Sequence, residues 1–219
     1  MSGRRILVTG GAGDLGRACA EAWRKSGALV EAPGREQLDV ADAASVQEWF
    51  AKHGSFDTLI NCAGIADDAL LARLNDLDLD RVLDVNLSGA WRCCREFAHA
   101  RGGAMEGAHV VLIGSYAGRA GAVGQAAYAA AKAGLVGLVR SLAREWGAAG
   151  GRINLVLPGF METRMTHPLS NGQLEAFRER HVLPNFSRPQ EVAQFCVVLD
   201  AMPAVSGQVF QLDSRLGSA

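Results

Sequence analysis

The chain has 219 residues, 49% hydrophobic and 21% charged, a composition typical of one globular domain with a substantial core. Its formal net charge of −1 gives no electrostatic basis for binding nucleic acid or an anionic membrane. The N-terminus lacks a signal-peptide pattern, no run reaches the length of a membrane span, and the five cysteines show no CxxC spacing. We therefore expect a single-domain cytoplasmic protein, residues 1–219, with reduced thiols and no metal site.

Short apolar runs alternate with longer helical patterns along the chain. Strands are predicted at 6–9, 28–31, 58–61, 109–114, 152–157 and 208–212. Helices are predicted at 15–25, 46–52, 78–100 with a break near Asn86, 125–146 and 191–199. This alternation predicts an α/β fold, a doubly wound parallel sheet with helices on both faces in three layers. The least regular stretch, Phe160 to Ser187, is predicted to be a lid or substrate loop.

A glycine-rich segment follows the first predicted strand and opens the first predicted helix. Gly11, Gly13 and Gly16 have the G-x-G-x-x-G spacing in this segment. Glycines permit a tight turn and a close approach of the backbone to a pyrophosphate, and a helix N-terminus offers free N–H groups and a positive dipole. In this strand–turn–helix context the motif predicts a dinucleotide site.

The end of the second predicted strand bears on which dinucleotide is bound. An NAD site usually has an acidic side chain here for the ribose 2′-hydroxyl. Glu31 lies slightly early for that role, whereas Arg35 follows a Pro-Gly turn and can meet a 2′-phosphate. This favours NADP(H) over NAD(H), with a solvated turn residue as the alternative interpretation of Arg35.

Seven short segments follow one another in order along nearly the whole chain: TGGAGDLG (9–16), LDV (38–40), NCAG (61–64), DVNLSG (84–89), IGS (113–115), YAAAK (128–132) and PGFMETRM (158–165). Together they resemble the short-chain dehydrogenase/reductase family. The resemblance implies a Rossmann-type fold. It also implies cofactor contacts from Gly10, Gly11, Gly13, Asp14, Leu15, Gly16, Arg35, Asp39, Val40, Asn61, Ala63, Gly64, Tyr128, Lys132, Pro158, Gly159, Met161 and Thr163.

Tyr128 and Lys132 are four residues apart in a helical pattern and share one helix face. A nearby ammonium stabilises a phenolate, so we expect Lys132 to lower the pKa of Tyr128 toward neutrality, as an acid/base catalyst requires. Tyr116 lacks this partner because Ala occupies position 120. The family resemblance adds Ser115 as the group that binds the substrate oxygen, Asn86 as the holder of a relay water, and Lys132 as a ligand of the nicotinamide ribose.

Three features depart from the family pattern. Asp14 stands where simple single-domain members usually have glycine, which gives the TGxxGxxG form of larger members that act on nucleotide sugars. Cys62 replaces the second Asn of the NNAG motif. The segment between the second strand and LDV is too short for a helix that is common in the family.

The resulting hypothesis is an NAD(P)H-dependent oxidoreductase that interconverts a carbonyl and a secondary alcohol on a small or carrier-linked substrate. The tail and PGFMETRM look most like β-ketoacyl-carrier-protein reductases. The alternatives are an epimerase or dehydratase, suggested only by TGGAG, and a non-catalytic NAD(P)-binding sensor. Small residues in AAYAAAKAGLVGLV (126–139) indicate either tight packing on the sheet or a helix-pair interface of a homodimer or homotetramer.

Overall fold

The computed structural model describes residues 3–164, 166 and 171–215, and its centre is one parallel sheet. Six strands appear in the spatial order β2-β1-β3-β4-β5-β6, and every neighbouring pair is parallel. They are β1 (Arg5–Thr9), β2 (Leu29–Glu31), β3 (Thr58–Asn61), β4 (His109–Ile113), β5 (Arg152–Pro158) and β6 (Val209–Leu212). The central strands β3, β4 and β5 are buried along their whole length, as expected for a sheet covered on both faces.

Eight α-helices are described: α1 (Asp14–Lys25), α2 (Ala43–His53), α3 (Asp76–Leu83), α4 (Gly89–Ala100), α5 (Ala117–Ala120), α6 (Ala126–Gly147), α7 (Asn171–Arg178) and α8 (Pro189–Asp200). A 3₁₀ turn covers Leu71–Arg73, and a π turn covers Asp84–Ser88. None of the described helices is long and apolar enough to cross a membrane.

The two faces of the sheet carry separate hydrophobic cores. On one face α1 and α8 pack over Ile6, Val8 and Val156. On the other face α2, α4 and α6 cover Leu7, Leu59 and other strand residues. Alternate residues of each strand therefore enter opposite cores, which makes the three layers a direct consequence of the period of two in a strand.

The strand order reverses at β1, which lies between β2 and β3. Residues Ile6 to Thr9 of β1 pair in register with Thr58 to Asn61 of β3. In a doubly wound sheet a crevice opens outside the carboxyl ends of the strands at this point, and ligands bind there. The glycine-rich turn begins at this edge, directly after Thr9.

The structure confirms the predicted fold class, and strand–helix order agrees with the sequence pattern. No helix lies between Glu31 and α2, so the compressed segment is a turn. The prediction of an irregular loop over 160–187 was wrong in one part, because α7 lies within it. Its aromatic residues pack on one another. The ring centroid of Phe160 lies 4.8 Å from that of Phe177 and 4.5 Å from that of Phe186. Positions 165 and 167–170 of this segment lie outside the described residues.

Candidate functional site

The predicted helix break near Asn86 is a π turn that joins α3 to α4. The Asn86 amide nitrogen donates to the carbonyls of Val82 and Ile65, at 2.9 and 2.8 Å. The first bond runs back along the helix and the second fixes the chain after β3. The amide oxygen Oδ1 is buried and makes no hydrogen bond with any described residue. A π turn of this kind is frequent at functional sites, and a buried oxygen without a donor is unusual in a folded protein.

Gly64 separates Asn86 from Lys132. A Cβ at Gly64 would lie 2.8 Å from Asn86 Oδ1 and 3.5 Å from Lys132 Nζ, so the missing side chain keeps open the space that these two polar atoms face. Lys132 is buried, and its Nζ donates to the carbonyl of Ile113 at 2.8 Å. Burial lowers the pKa of Lys132 to about 8. The lysine is therefore held at the carboxyl end of β4 in a site where its charge is costly.

Tyr128 lies one helical turn before Lys132 on α6, and Lys132 Nζ is 5.6 Å from the centroid of its ring. Burial raises the pKa of the Tyr128 hydroxyl, while a hydrogen bond with Ser115 acts in the opposite direction. We expected Lys132 to lower the pKa of Tyr128, and this prediction was wrong, because the surrounding protein groups raise it. Desolvation disfavours the phenolate more than the neighbouring hydroxyl favours it. The four predicted catalytic residues nevertheless lie together at one edge of the sheet.

Two polar residues beside Tyr128 were not predicted. Asp68 follows the Asn61–Gly64 segment, and its carboxylate further raises the pKa of Tyr128. Gln125 precedes α6, and its amide donates to Asp68 Oδ2 at 2.8 Å. An isolated Asp and Gln separated by 57 positions carry no spacing signal, which explains why sequence reasoning missed them.

The glycine-rich turn has the geometry that its motif predicts. Gly10 has a φ of +65°, in the left-handed region that favours glycine. A Cβ at Gly16 would lie 2.3 Å from the carbonyl oxygen of Gly10, so only glycine lets α1 pack this closely on the turn. Gly13 caps the helix without a side-chain bond, and Asp14 and Leu15 form its first turn. Next to it, Thr9 Oγ1 donates to Asn61 Oδ1 at 2.6 Å and accepts from the Ala63 amide at 3.3 Å.

Asp14, one of the departures from the family pattern, contacts a residue 150 positions later in the chain. Its carboxylate accepts the backbone N–H of Arg164 at 2.8 Å and Nε of the same residue at 3.1 Å. These contacts, the backbone hydrogen bond first, lower the pKa of Asp14. The Arg164 guanidinium also donates to the carbonyl of Ala12 inside the glycine-rich turn. The segment after β5 is thereby tied to the N-terminus of α1.

The turn after β2 places the residues predicted to select the cofactor. Arg35 is exposed, and its Nε donates to Asp39 Oδ2 at 3.0 Å. Asp39 also accepts the Ala41 amide at 3.0 Å, while Val40 is buried against Gly89. Glu31 makes an ion pair with Arg5, and its other carboxylate oxygen faces His53 Nδ1 at 2.5 Å. The predicted acidic alternative is thus occupied elsewhere, whereas the Arg35 guanidinium remains accessible.

The end of β5 brings the last predicted cofactor residues to the same edge. Pro158 pairs with Leu212 in β6, and a Cβ on Gly159 would lie 2.5 Å from Ser187 Oγ. The following loop is closed by Thr166, whose hydroxyl donates to the carbonyl of Met161 and accepts from the Thr163 amide.

A buried carboxylate, Asp213, holds the loops around this edge. It accepts from Gln211 Nε2 at 2.6 Å and from Arg215 Nε at 2.6 Å. The Arg215 guanidinium lies over the ring of Tyr116, 3.7 Å from its centroid, next to Ser115 in the chain. The segment 211–215 therefore connects the loop after β4 with the loop after β5.

The arrangement fits a nicotinamide dinucleotide. The turn keeps its glycines where a backbone approach is needed, the cradle at Gly64 is open, and the buried Asn86 Oδ1 has room for a donor. Gly10 to Gly16 would hold the diphosphate, and Tyr128 and Lys132 the ribose on the nicotinamide side. Among the described residues, no group of three His, Cys, Asp or Glu side chains is placed to hold a metal ion.

Comparison with known proteins identifies a single family over almost the whole chain. Residues 2–214 match the family model described as enoyl-(acyl carrier protein) reductase. The 3-oxoacyl-[acyl-carrier-protein] reductases of Thermotoga maritima and Escherichia coli are each 33% identical, over 99% of this chain and 98% of theirs. Nodulation protein G of a Rhizobium species is similar to the same extent.

A solved structure is also similar but carries a different functional name. The crystal structure titled ribose-5-phosphate isomerase from Brucella melitensis has a TM-score of 0.89 and 32% identity, and the match covers 98% of this chain and 93% of that one. The fold and the sequence agree across all these relatives, whereas the activities in their names differ.

Proposed function

Since the chain belongs to the short-chain dehydrogenase/reductase family, we propose that it is an NAD(P)H-dependent oxidoreductase that interconverts a carbonyl and a secondary alcohol with Tyr128 as acid/base. The observation that carries this proposal is the convergence of Tyr128, Ser115, Lys132 and Asn86 at the end of β4, with one buried amide oxygen left without a donor.

The raised pKa of Tyr128 assigns it the acid role in reduction. At neutral pH its hydroxyl is protonated and hydrogen-bonded with Ser115, so it has a proton to donate to an oxygen that becomes negative. Ser115 orients that oxygen beside Tyr128. The bound nicotinamide supplies the hydride, and the protein fixes geometry and charge around it. In the reverse direction Tyr128 must lose its proton, which its own surroundings disfavour.

Lys132 and Asn86 serve the proton supply. The Lys132 ammonium lies below Tyr128 on the helix and is desolvated, so it stabilises a transient phenolate more strongly than an exposed lysine would. Asn86 Oδ1 and Lys132 Nζ face the same space beside Gly64. A water held there would accept a hydrogen bond from Lys132 Nζ and donate one to Asn86 Oδ1. When the ammonium passes a proton toward the Tyr128 phenolate, this water would replace that proton on Lys132 and take one from solvent.

The tyrosine substitution tests this mechanism with a control in the same chain. Tyr128→Phe removes the proton donor, so kcat should fall by about 10³-fold, within the range of general acid catalysis. Cofactor affinity should fall by no more than about tenfold, because one hydrogen bond to the ribose is lost while Lys132 remains. Tyr116→Phe is the matched control, and its kcat should change little. The assay is oxidation of NADPH or NADH against a panel of ketones and 3-oxoacyl thioesters.

Two results would contradict the mechanism. If Tyr128→Phe reduces the best substrate as fast as wild type, Tyr128 is not the acid. If wild type binds the dinucleotide but turns over no carbonyl in the panel, the sensor hypothesis gains.

NADPH is the proposed cofactor because Arg35 is exposed and Glu31 is occupied by Arg5 and His53. NADPH should bind at least tenfold more tightly than NADH, about 1.4 kcal/mol, and Arg35→Ala should reduce this preference. Equal affinities of the wild type for the two cofactors, measured by fluorescence titration, would refute the preference.

The substrate proposal follows the relatives named 3-oxoacyl-[acyl-carrier-protein] reductase, so a small or carrier-linked 3-oxoacyl group is the first candidate. A homodimer or homotetramer formed through the small-residue face of α6 is the corresponding assembly. Analytical ultracentrifugation checks it, and a monomer at micromolar concentration would refute it.

A sugar-phosphate isomerase is the second candidate because of the Brucella structure's title. An aldose–ketose isomerisation moves a proton between neighbouring carbons and needs no dinucleotide. The glycine-rich turn, with its φ of +65° at Gly10, therefore favours the reductase. Ribose 5-phosphate without cofactor is the discriminating substrate, and its conversion to the ketose would favour the isomerase.

A further inference from the structure

We propose that Arg164, oriented by Asp14 above the glycine-rich turn, is a positioning residue for the diphosphate of the dinucleotide. This inference rests on the proposed function. It gives a role to Asp14, whose carboxylate the catalytic chemistry does not use, and to Arg164, which the sequence pattern does not single out.

The argument begins with an electrostatic conflict at the N-terminus of α1. A dinucleotide places its diphosphate against the free N–H groups and positive dipole of such a helix. Asp14 puts a carboxylate in the first turn of this helix, where it competes with that anion. Like charges at close range in a partly desolvated site are costly. A glycine at this position would have no such cost.

Arg164 resolves the conflict through two kinds of contact. Its Nε and backbone N–H bind the two oxygens of Asp14, so the carboxylate is neutralised by a guanidinium that it holds in place. The guanidinium also reaches the Ala12 carbonyl within the turn itself. Arg17 donates to the same carbonyl at 2.9 Å, so two arginines converge on the turn. A planar guanidinium held at such a turn suits phosphate oxygens.

Stability alone gives a weak reason for this pair. The Arg164 side chain is 65% exposed and Asp14 is 30% exposed. Ion pairs with this exposure contribute about 0–1 kcal/mol to folding. Substitutions here should therefore leave the protein folded, and their effect on cofactor binding can be measured directly.

The experiment is a titration of NADPH and NADH into purified full-length variants, followed by nicotinamide fluorescence at fixed salt. Arg164→Gln should weaken binding of both cofactors by at least tenfold, because both carry the diphosphate. Arg35→Ala should weaken NADPH alone. Arg24→Gln removes the same charge from the other end of α1 and should match wild type.

The double variant separates charge compensation from a simple tether. In Asp14→Asn/Arg164→Gln the tether stays broken but the unpaired carboxylate is gone, so at least threefold of the lost affinity should return. The inference is overturned if Arg164→Gln binds both cofactors as wild type does, or if the double variant binds no better than Arg164→Gln. A wild type that binds neither dinucleotide would instead refute the proposed function itself, before any variant is made.

Discussion

The two ends of the sheet each carry a cluster of buried polar residues, and the clusters are built differently. At the carboxyl end, Lys132 and Asn86 face a shared space, and Asn86 Oδ1 has no donor among the described residues. At the amino end, His109 and Asp200 are equally buried, but their atoms are directed at each other and at neighbouring side chains. Only one of the two clusters is organised to accept something from outside.

The amino-end cluster joins α8 to the starts of β3, β4 and β5. Asp200 Oδ1 accepts from Thr58 at 3.0 Å and from His109 Nδ1 at 2.9 Å. Its other oxygen lies 3.4 Å from Arg4 Nε, and Arg152 donates to the Asp200 backbone carbonyl. Each strand contributes its first residue or the residue close before it. Asp200 Oδ2 and Arg4 Nε make no hydrogen bond with a described residue, but they face each other as an ion pair. The charges of the cluster are therefore paired internally, and the cluster fixes α8 to the sheet.

Asn154 sets the protonation state of His109. Its Oδ1 accepts the Gln208 amide at 3.0 Å, so its Nδ2 is the atom that faces His109 Nε2 at 3.1 Å. That imidazole nitrogen must then accept, and His109 donates from Nδ1 to Asp200. A proton on Nε2 would place two donors against each other.

This difference indicates that a buried polar group serves stability when its unbonded atom faces an opposite charge inside the network, as Asp200 Oδ2 faces Arg4. It serves chemistry when an unbonded atom faces open space, as Asn86 Oδ1 does beside Gly64. Variants at the carboxyl end should therefore lose activity and retain stability. Variants at the amino end should do the reverse. Measuring both turnover and unfolding free energy for variants of each cluster tests that separation.

The largest effect is expected for Lys132→Met. The substitution removes the ammonium beside Tyr128, so kcat/KM should fall by about 10³-fold, or about 4 kcal/mol in transition-state free energy. The free energy of unfolding should change by no more than about 1 kcal/mol, because removal of a desolvated charge offsets the lost hydrogen bond to the Ile113 carbonyl. Chemical denaturation followed by tryptophan fluorescence checks this, and a marked loss of stability would break the separation.

Asp200→Ala should give the opposite result. Removing one member of a buried charged network leaves Arg4 and Arg152 without their carboxylate, at a cost of about 3–5 kcal/mol in unfolding free energy. Below the melting transition, KM and kcat should stay near wild type. A variant with wild-type stability, or a folded one with strongly reduced kcat, would contradict the assignment of this cluster to stability alone.

The smallest effect concerns pH. Burial lowers the pKa of His109, although its hydrogen bond to Asp200 opposes the shift. Below about pH 6.5 the unfolded chain therefore protonates this histidine while the folded chain keeps it neutral. The free energy of unfolding should then fall by up to about 1.4 kcal/mol for each pH unit of acidification. His109→Gln should be less stable at pH 7.5 but lose less stability between pH 6.5 and 5. Parallel slopes for the two proteins, in denaturation series at each pH, would show that another group dominates.

Asp200 adds a second acid limb. Burial opposes its ionisation, but the hydrogen bond from His109, the charge of Arg4 and the hydrogen bond from Thr58 lower the pKa of its carboxyl. Its contribution to stability is therefore complete above about pH 3.8 and is lost below that value. The two limbs begin more than two pH units apart, at about pH 6.5 and 3.8, so comparing wild type with His109→Gln in one series distinguishes them.

Local periodicity and motif spacing explain what the sequence could predict. Tyr128 and Lys132 share a helix face because residues at i and i+4 always do. The glycine-rich turn is recognisable because the pattern of a strand precedes it and that of a helix follows it. The break at Asn86 was predictable for a similar reason. These features depend on residues that are close together in the chain.

Contacts between distant positions were outside the reach of such reasoning. Arg164 and Asp14 are 150 positions apart, and His109 and Asp200 are 91 apart, so no period links them. The direction of the Tyr128 pKa shift also depended on packing, since burial of the ring between α3 and α6 outweighs nearby polar groups. The sequence indicates that the Lys132 ammonium lies near Tyr128, but it does not indicate how far the Tyr128 hydroxyl is removed from water.

The π turn at Asp84–Ser88 has a consequence for engineering and for natural variation. It accommodates one residue more than a regular helix, so deleting a single residue here would fuse α3 and α4 into one continuous helix. The flanking helices would keep their faces because the deleted residue is the extra one, but Asn86 would lose the widened turn that places its amide beside Gly64. A thermostability selection that ignores activity should therefore favour such deletions, whereas a selection for turnover should reject them. At these five residues, the regular helix that would increase stability is therefore incompatible with the position of Asn86 that the proposed activity requires.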